Sequence, residues 1–446
     1  MAEFLQQLVN GIALGSIYGL IAVGYTIVYG ILGLINFAHG EIYMMGTFSA
    51  FLAVQFAKSK FGIEMGFGPA LLLGMIGAGI LGVAIERIAY RPLRAKSAVP
   101  AVLLGLVGGG IAFMIVDAVG TQLGLPFANP FALLVDTGGS SSRAVEATPG
   151  FEVPSIVSLI LWAVLAWGAY RLSRGRLSVR KTTKAATLTA LLTALGVSLL
   201  LQNLGIQMFG ATPRSFPALV EFYPYEVEAS TAAGWMLVAA VGPAIAAIAW
   251  WLSRRTRVLD RLTAVGVATG VVLAGAYALS GQLRGEGTVI LANQDLLIFG
   301  AMVVSMVVLQ LIIYRTKIGK AMRAVAVDQD AARLMGVRLD FTISCAFAIG
   351  SSLAAIAGVL YAIRYTKIDP LMGALPGAKA FVAAVLGGIG NIPGAVVGGL
   401  IMGVTESMVV GYVSSTLRDA FAFGILILIL LVKPTGLMGT NQPEKV

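Results

Sequence analysis

Long apolar runs constrain the fold of this chain more than any other feature of its sequence. A transmembrane helix needs about 20 consecutive, mostly apolar residues, and about a dozen such runs follow one another along the chain. Only 12% of the residues are charged, whereas soluble domains carry about 25%. Because water cannot solvate such a chain, residues 1–446 are expected to form a single domain, an all-α, polytopic transmembrane helical bundle.

The distribution of basic residues predicts the orientation of the bundle. Lysines and arginines cluster in 87–96, 171–184, 254–261 and 315–338, and the intervening loops carry mainly acidic residues. By the positive-inside rule the basic clusters face the cytoplasm. The net charge of +10 therefore reflects topology and attraction to anionic lipid, and it does not indicate nucleic-acid binding. The expected spans, the first of them broken near Tyr25, are 5–34, 41–57, 68–86, 99–120, 154–172, 185–205, 232–252, 262–280, 295–314, 342–363, 379–411 and 418–432.

The segment 315–340 is the longest charged stretch in the chain and lies between two expected spans. Its alanines suit short amphipathic helices, with Gly319 and Gly336 as turn points and Asp328 or Asp330 near a helix start. Connections between helices are usually shorter. We therefore interpret this segment as a cytoplasmic docking surface along the membrane face, with an ordinary solvated loop as the alternative.

A few polar positions interrupt the apolar runs. Polar groups inside a membrane are costly and usually functional, and broken helices commonly line transporter cavities. A histidine or glutamate that caps a helix end, and a simple turn between two half-spans, are the structural alternatives. The single acids Asp117 and Glu406 have no evident partner in the sequence; each could pair with a neighbouring helix as readily as contact cargo, and neither is counted as a site residue. Asn36, His39 and Glu41 lie at a break between apolar segments and are candidates for a functional role. Gly387, Gly388 and Asn391 break the run 379–411 and are predicted for a translocation path.

Several kinds of chemistry are absent from the sequence. No phosphate-binding loop of the G-x-x-x-x-G-K-[ST] type occurs, so this chain is not expected to bind nucleotide itself. One histidine and the lack of an H-E-x-x-H motif argue against the common zinc hydrolases, and no serine nucleophile elbow is found. We therefore expect no enzymatic activity, no metal site and no cofactor bound by this chain.

Residues 330–336 read Asp-Ala-Ala-Arg-Leu-Met-Gly and resemble the EAA-xxx-G coupling motif of ABC importer permeases, with Asp in place of Glu. Four other stretches are similar to the Liv-type branched-chain amino acid permeases: Asn-Phe-Ala-His-Gly-Glu at 36–41, and the segments 86–94, 194–203 and 385–395. The resemblance favours placing the segment 36–41, with Asn36, His39 and Glu41, near the translocation path. It also implies that 315–340 is a coupling segment that contacts an ATP-binding subunit. The coupling residues that it implies are Gly319, Arg323, Asp328, Asp330, Ala331, Ala332 and Gly336.

The resemblance also implies a function and a set of partners. It implies a multi-pass permease subunit in a bacterial inner membrane that imports leucine, isoleucine or valine. The expected partners are a homologous permease in a heterodimer, two cytoplasmic subunits that use ATP, and a periplasmic substrate-binding protein. An ABC permease for urea or short amides is one alternative. An ion-coupled secondary transporter is the other, and it would need paired charged residues inside the membrane.

The chain departs from the Liv-type pattern in two segments. Residues 95–184 and 222–292 are interpreted as insertions with two spans each, added to about eight family helices. An even number of added crossings leaves every family segment on its original side of the membrane. The coupling segment is therefore still expected to face the cytoplasm.

Overall fold

The computed structural model describes residues 2–33, 36–91, 183–228, 288–433 and 435–439. The expected spans 99–120, 154–172, 232–252 and 262–280, and most of both predicted insertions, lie outside these residues. Five of the described helices are long and apolar enough to cross a membrane, which confirms a polytopic helical membrane fold. They are Ala2–Leu32, Phe67–Tyr90, Asn293–Arg315, Leu339–Tyr365 and Ile392–Tyr412.

The described elements follow the apolar runs closely. The helices are α1 (Ala2–Leu32), α2 (His39–Phe61), α3 (Phe67–Ile85), α4 (Thr183–Phe209), α5 (Asn293–Arg315), α6 (Lys317–Val327), α7 (Gln329–Leu334), α8 (Leu339–Tyr365), α9 (Ala374–Gly387), α10 (Ile392–Tyr412) and α11 (Arg418–Val432), and α3 continues as one π-helical turn, Glu86–Tyr90. The strands are β1 (Arg214–Ser215), β2 (Pro224–Glu228), β3 (Thr288–Ala292) and β4 (Lys367–Ile368).

The chain divides into two compact units. The first contains the described parts of Met1–Ala22, Val220–Val308 and Lys379–Val446, and the second those of Val23–Leu219 and Leu309–Ala378. Antiparallel strands join distant parts of the chain within each unit: β2 pairs with β3 in the first, and β1 with β4 in the second.

In the second unit, α2, α3 and α8 pack against one another. Small residues allow this packing: a Cβ at Gly46 would lie 2.6 Å from the Cβ of Ala355, and one at Gly74 would lie 3.0 Å from the carbonyl oxygen of Gly46. Close backbone approach replaces the hydrophobic effect as the main source of helix association in lipid. The three helices therefore form the core of this unit.

In the first unit, α10 packs between α9 and the N-terminal part of α1. Its glycines form two stripes: Gly394 and Gly398 contact the backbone of α9, and Gly399 and Gly403 contact the backbone of α1. The small-xxx-small spacing of these glycines predicts close helix packing. The structure confirms that prediction and shows that each stripe has a different partner.

One prediction about the long apolar runs needs correction. The break expected near Tyr25 is wrong, because α1 is continuous from Ala2 to Leu32. Gly24 serves packing there: a Cβ would collide with the ring of His39 and lie 2.9 Å from the carbonyl oxygen of Gly350. The predicted break within the run 379–411 is confirmed: α9 ends and α10 begins there, and Gly388 and Gly390 have φ of +104° and +93° between them.

Candidate functional site

Polar side chains gather where α2 begins, in the second unit. Asn36 lies in the connection that leads into α2. His39 is the first residue of α2, and Glu41 lies in its first turn. All three are buried, with at most 2% of their surface exposed. We call Tyr25, Asn36, His39, Glu41 and Gln202 the α2 polar cluster. The structure therefore brings three of the predicted path residues together.

Asn36 shapes the entry into α2. Its Oδ1 accepts hydrogen bonds from the backbone N–H of Ala38 at 3.2 Å and from the hydroxyl of Tyr90 at 3.1 Å. The first bond is the local turn that asparagine favours before a helix. The second ties this turn to the end of α3. Its Nδ2 is buried and has no hydrogen-bond acceptor among the described residues.

His39 and Glu41 have different surroundings. The ring centroids of His39 and Tyr25 are 4.7 Å apart. One oxygen of Glu41, Oε1, accepts hydrogen bonds from Gln202 Nε2 at 3.1 Å and from Ser198 Oγ at 3.4 Å, both on α4. The other, Oε2, is buried and has no hydrogen-bond donor within the described residues. Since no side chain caps α2, Glu41 is held by α4 and does not act as an N-cap.

The predicted path residues Gly387, Gly388 and Asn391 lie in the first unit, in the turn between α9 and α10. Asn391 is the N-cap of α10, and its Oδ1 accepts the N–H of Gly394 at 3.3 Å. Its Nδ2 donates to the carbonyl of Met438 at 2.9 Å, and the N–H of Met438 donates to the carbonyl of Gly387 at 3.0 Å. These contacts account for the shape of the turn, and a place in the path stays a prediction.

The coupling segment is two short helices, α6 and α7. Asp328 ends α6 and caps α7, because its carboxylate accepts the N–H groups of Asp330 and Ala331 at 2.9 and 3.0 Å. Gly336 has a φ of +82°, which glycine adopts without strain. The predicted helix start at Asp328 and turn at Gly336 are thus confirmed. Ala332 is buried.

Gly319 is not a turn point, and that prediction is wrong. It lies in the first turn of α6, where a Cβ would collide with the carbonyl oxygens of Ile312 and Ile313 at the end of α5. Glycine is used there for close approach of two helices. Arg323, on the same helix, lies over the ring of Tyr314, with its guanidinium carbon 5.1 Å from the ring centroid.

Two contacts tie the coupling segment to the rest of the second unit. The side chain of Gln329 donates to the carbonyl of Ile31 at 3.3 Å, five residues before Asn36. Helix α6 packs against α8, with Met322 and Val325 buried. In contrast, Leu334 and Met335 are 89% and 84% exposed. The segment is therefore anchored on one face and open on the other.

The structure adds a charged cluster that sequence reasoning missed, in the first unit. Lys379 Nζ lies 2.9 Å from Glu406 Oε1 and 2.6 Å from Asp419 Oδ1. The same Glu406 oxygen accepts from Arg418 and, at 3.3 Å, from the hydroxyl of Tyr18. We call these five residues the α10 ionic cluster. The side chains of Lys379 and Glu406 are 4% and 1% exposed.

The sequence left open whether Glu406 pairs with a neighbouring helix or contacts cargo, and the structure shows that it pairs. Its partners lie 12, 27 and 388 residues away along the chain. The available signal was a lysine and an acid within the run 379–411, and their contact could not be inferred from spacing because the run folds as two packed helices. Asp117 lies outside the described residues. Among the described residues, no three histidine, cysteine or acidic side chains come close enough to hold a metal ion.

Comparison with known proteins gives consistent results across the whole chain. A family model described as "Branched-chain amino acid transport system / permease component" matches residues 7–180 and 182–430. The high-affinity branched-chain amino acid transport system permease protein BraD of Pseudomonas aeruginosa is 30% identical over 449 aligned residues, covering 100% of this chain and 98% of BraD. LivH of Escherichia coli, which carries the same description, is 29% identical and covers 99% of this chain and 98% of LivH.

A more distant similarity covers only part of the chain. The xylose transport system permease protein XylH of Escherichia coli is 31% identical over 140 residues, which are 30% of this chain and 33% of XylH. No solved structure matches the chain.

Proposed function

Because the chain belongs to the branched-chain amino acid permease family, we propose that it is one permease subunit of an ATP-driven importer for leucine, isoleucine and valine in a bacterial inner membrane. Its family and its relatives are transport permeases and not enzymes. The proposed partners are a homologous permease, two cytoplasmic ATP-binding subunits and a periplasmic binding protein. ATP is used by those partner subunits.

The exposed side chains of Leu334 and Met335 carry the proposal of an ATP-binding partner. They follow Asp330 and Arg333 in a charged segment between two membrane helices, so they lie at the aqueous surface and not in lipid. Adjacent large apolar side chains in water mark an interaction site. The surface fits an apolar groove on a cytoplasmic subunit, with the capped helix α7 as a rigid insert.

The contacts of the coupling segment supply a route for movement within the second unit. A partner that displaces α7 acts on Ile31 through the side chain of Gln329, and on α8 through α6. Ile31 leads directly into the connection that holds Asn36 and His39. We infer that the coupling residues and the α2 polar cluster move together in an alternating-access cycle. The residues of the α9–α10 turn, Gly387, Gly388 and Asn391, are proposed for the path with them.

We further propose that residues 95–184 and 222–292 are additions to the permease. Support comes from the described ends of the second segment, where β2 and β3 pair over their full length, from Pro224 opposite Ala292 to Glu228 opposite Thr288. A segment whose two ends lie side by side can be inserted into a domain without disturbing it.

Uptake into vesicles tests the function. Proteoliposomes that hold the complex with its ATP-binding subunits and binding protein receive labelled leucine or labelled urea. Wild type is compared with Leu334→Glu, which places a charge on the docking surface, and with Val413→Glu, another exposed apolar position, in the connection between α10 and α11. We expect ATP-dependent leucine uptake to fall by about tenfold in Leu334→Glu only.

The possible outcomes separate the alternatives. Uptake of urea in preference to leucine would replace the proposed substrate by a small amide. Leucine uptake without the ATP-binding subunits, driven by an ion gradient, would make the chain a secondary transporter. Equal loss in both variants would remove the docking role of the coupling segment.

A further inference from the structure

Glu41 is a buried carboxylate whose charge is not matched by a described neighbour. Only 2% of the residue is exposed. It forms no ion pair within the described part of the chain, where its Oε1 accepts two neutral donors, Gln202 and Ser198. Its Oε2 has no donor among those residues. A buried carboxylate in a membrane protein is costly unless a cation or a proton joins it.

Two other buried acids of the described chain, Glu406 and Glu86, have different surroundings. Glu406 has Lys379 and Arg418 on one oxygen. Glu86, in the π-helical turn, accepts a 2.7 Å hydrogen bond from Ser344 on its Oε2, the atom that is left open in Glu41. Glu41 is therefore an acid built to receive a partner that the described residues do not supply.

Glycine packs beside the buried oxygen of Glu41 that has no donor among the described residues. A Cβ at Gly373 would lie 2.8 Å from Oε2, so any larger residue there would crowd this oxygen. Gly40 and Gly377 also meet closely beside it, where a Cβ at Gly377 would lie 3.7 Å from the hydroxyl of Tyr25. The ring of Tyr25 in turn packs against the ring of His39, with 4.7 Å between the centroids. Such an oxygen suits a small cation that carries its own hydrogen-bond donors.

We propose that Glu41 Oε2 binds the α-ammonium group of the transported amino acid. This inference rests on the proposed function for the identity of the cargo. An ammonium brings three donors and one positive charge, and charge-assisted hydrogen bonds to a carboxylate are the strong ones. Asn36 lies five residues earlier. Its buried Nδ2 is a hydrogen-bond donor, which is the kind of group that the substrate carboxylate needs. The α2 polar cluster thus selects a zwitterion over an uncharged solute.

The first test measures ligand-induced thermal stabilisation of the full chain in nanodiscs with three probes: leucine, isoamylamine, which lacks the carboxylate, and 4-methylpentanoate, which lacks the ammonium. The amine and leucine stabilise wild type, and 4-methylpentanoate does not. Glu41→Gln, which keeps the size and an acceptor for Gln202 and Ser198, weakens amine binding by about tenfold or more. Glu86→Gln is the matched control and leaves amine binding unchanged.

A second measurement needs no variant. Dicyclohexylcarbodiimide labels buried carboxyl groups, and mass spectrometry locates the label. Isoamylamine protects Glu41 from labelling while 4-methylpentanoate leaves it labelled, and Glu86 labels equally in both. Equal labelling of Glu41 with both probes, or amine binding that is unchanged in Glu41→Gln, overturns the proposal.

The uptake assay in vesicles distinguishes this failure from failure of the proposed function. If wild type imports leucine but Glu41→Gln binds the amine normally, the transporter stands and the ammonium site falls. If wild type binds the amine at Glu41 but does not import leucine, the site stands as an ammonium site and the proposed cargo falls.

Discussion

At the scale of single residues, the partners of a buried charge show whether the charge stabilises the fold or is available to bind a ligand. Lys379 bridges Glu406 and Asp419, which belong to two different helices, and Arg418 also contacts Glu406. The cluster has two positive and two negative side chains, so it needs no further ligand to balance its charge. Removing one member of a buried network leaves an uncompensated charge, whereas removing an exposed pair has little effect.

Lys379→Met is therefore expected to destabilise the protein. The free energy of unfolding should fall by about 3 kcal/mol, because Glu406 and Asp419 lose a buried partner. Adding Glu406→Gln should recover part of that loss, since the two side chains are coupled. Thermal unfolding in detergent micelles measures the change. Lys58→Met, which breaks an exposed pair with Glu64 at 3.5 Å, is the control and should cost less than about 1 kcal/mol. Equal effects of the two lysine changes would contradict this view of the cluster.

Among the structural elements, glycine stripes decide which helices meet. Gly399 and Gly403 put α10 against the backbone of α1, and Gly394 and Gly398 put the same helix against α9. Glycine lowers the intrinsic stability of a helix by about 1 kcal/mol relative to alanine. Here that loss is offset by van der Waals contact between backbones, which drives helix association in lipid.

Gly403→Leu tests the stripe that faces α1. A side chain there would collide with the backbone of Gly15, so α1 and α10 must separate. The expected loss of unfolding free energy is about 2–3 kcal/mol, the range for overpacked sites. Gly424→Leu in α11 is the matched control, because no atom lies within 4 Å of a Cβ there. A thermal unfolding midpoint for Gly403→Leu that equals that of the control would show that the stripe does not hold these helices together.

In the molecule as a whole, the question is whether the two segments proposed as additions, 95–184 and 222–292, belong to the transport machinery. The five residues of β2 pair antiparallel with those of β3, and Glu228 lies opposite Thr288. A two-residue type I′ turn such as Asn-Gly joins strands in that arrangement. The pair therefore offers a place where the chain can be shortened without moving its neighbours.

Replacing residues 229–287 by Asn-Gly should leave a working permease. The strand register is retained, so we expect the shortened chain to enter the membrane and to import leucine at a rate within about twofold of wild type. The control deletes 228–287 and inserts the same turn, which shifts the register by one residue and turns the side chains of one strand to the opposite face. Loss of uptake in the first variant, with the protein still in the membrane, would assign the segment a role in transport.

Much of this protein could be predicted from local sequence patterns. Apolar runs longer than a membrane is thick form helices in lipid, because a spanning segment must satisfy its own backbone hydrogen bonds. Asp328 and Gly336 identified a helix cap and a left-handed turn, since capping and positive φ depend on one residue and its close neighbours. The family motifs likewise singled out the segment 315–340 and the buried residues Asn36, His39 and Glu41, whose roles in coupling and in the path stay predictions.

Only the tertiary structure decided which side chains meet. Glu406 and Lys379 are 27 residues apart, and Glu41 and Gln202 are 161 apart, so neither contact leaves a periodic signal. The tertiary structure also decided that α1 continues through Gly24 and that Gly319 lies within α6. At both positions a glycine that suggests a break instead allows another part of the chain to approach. Hydropathy reports whether a segment lies in lipid, whereas ion pairs and glycine contacts depend on how helices pack.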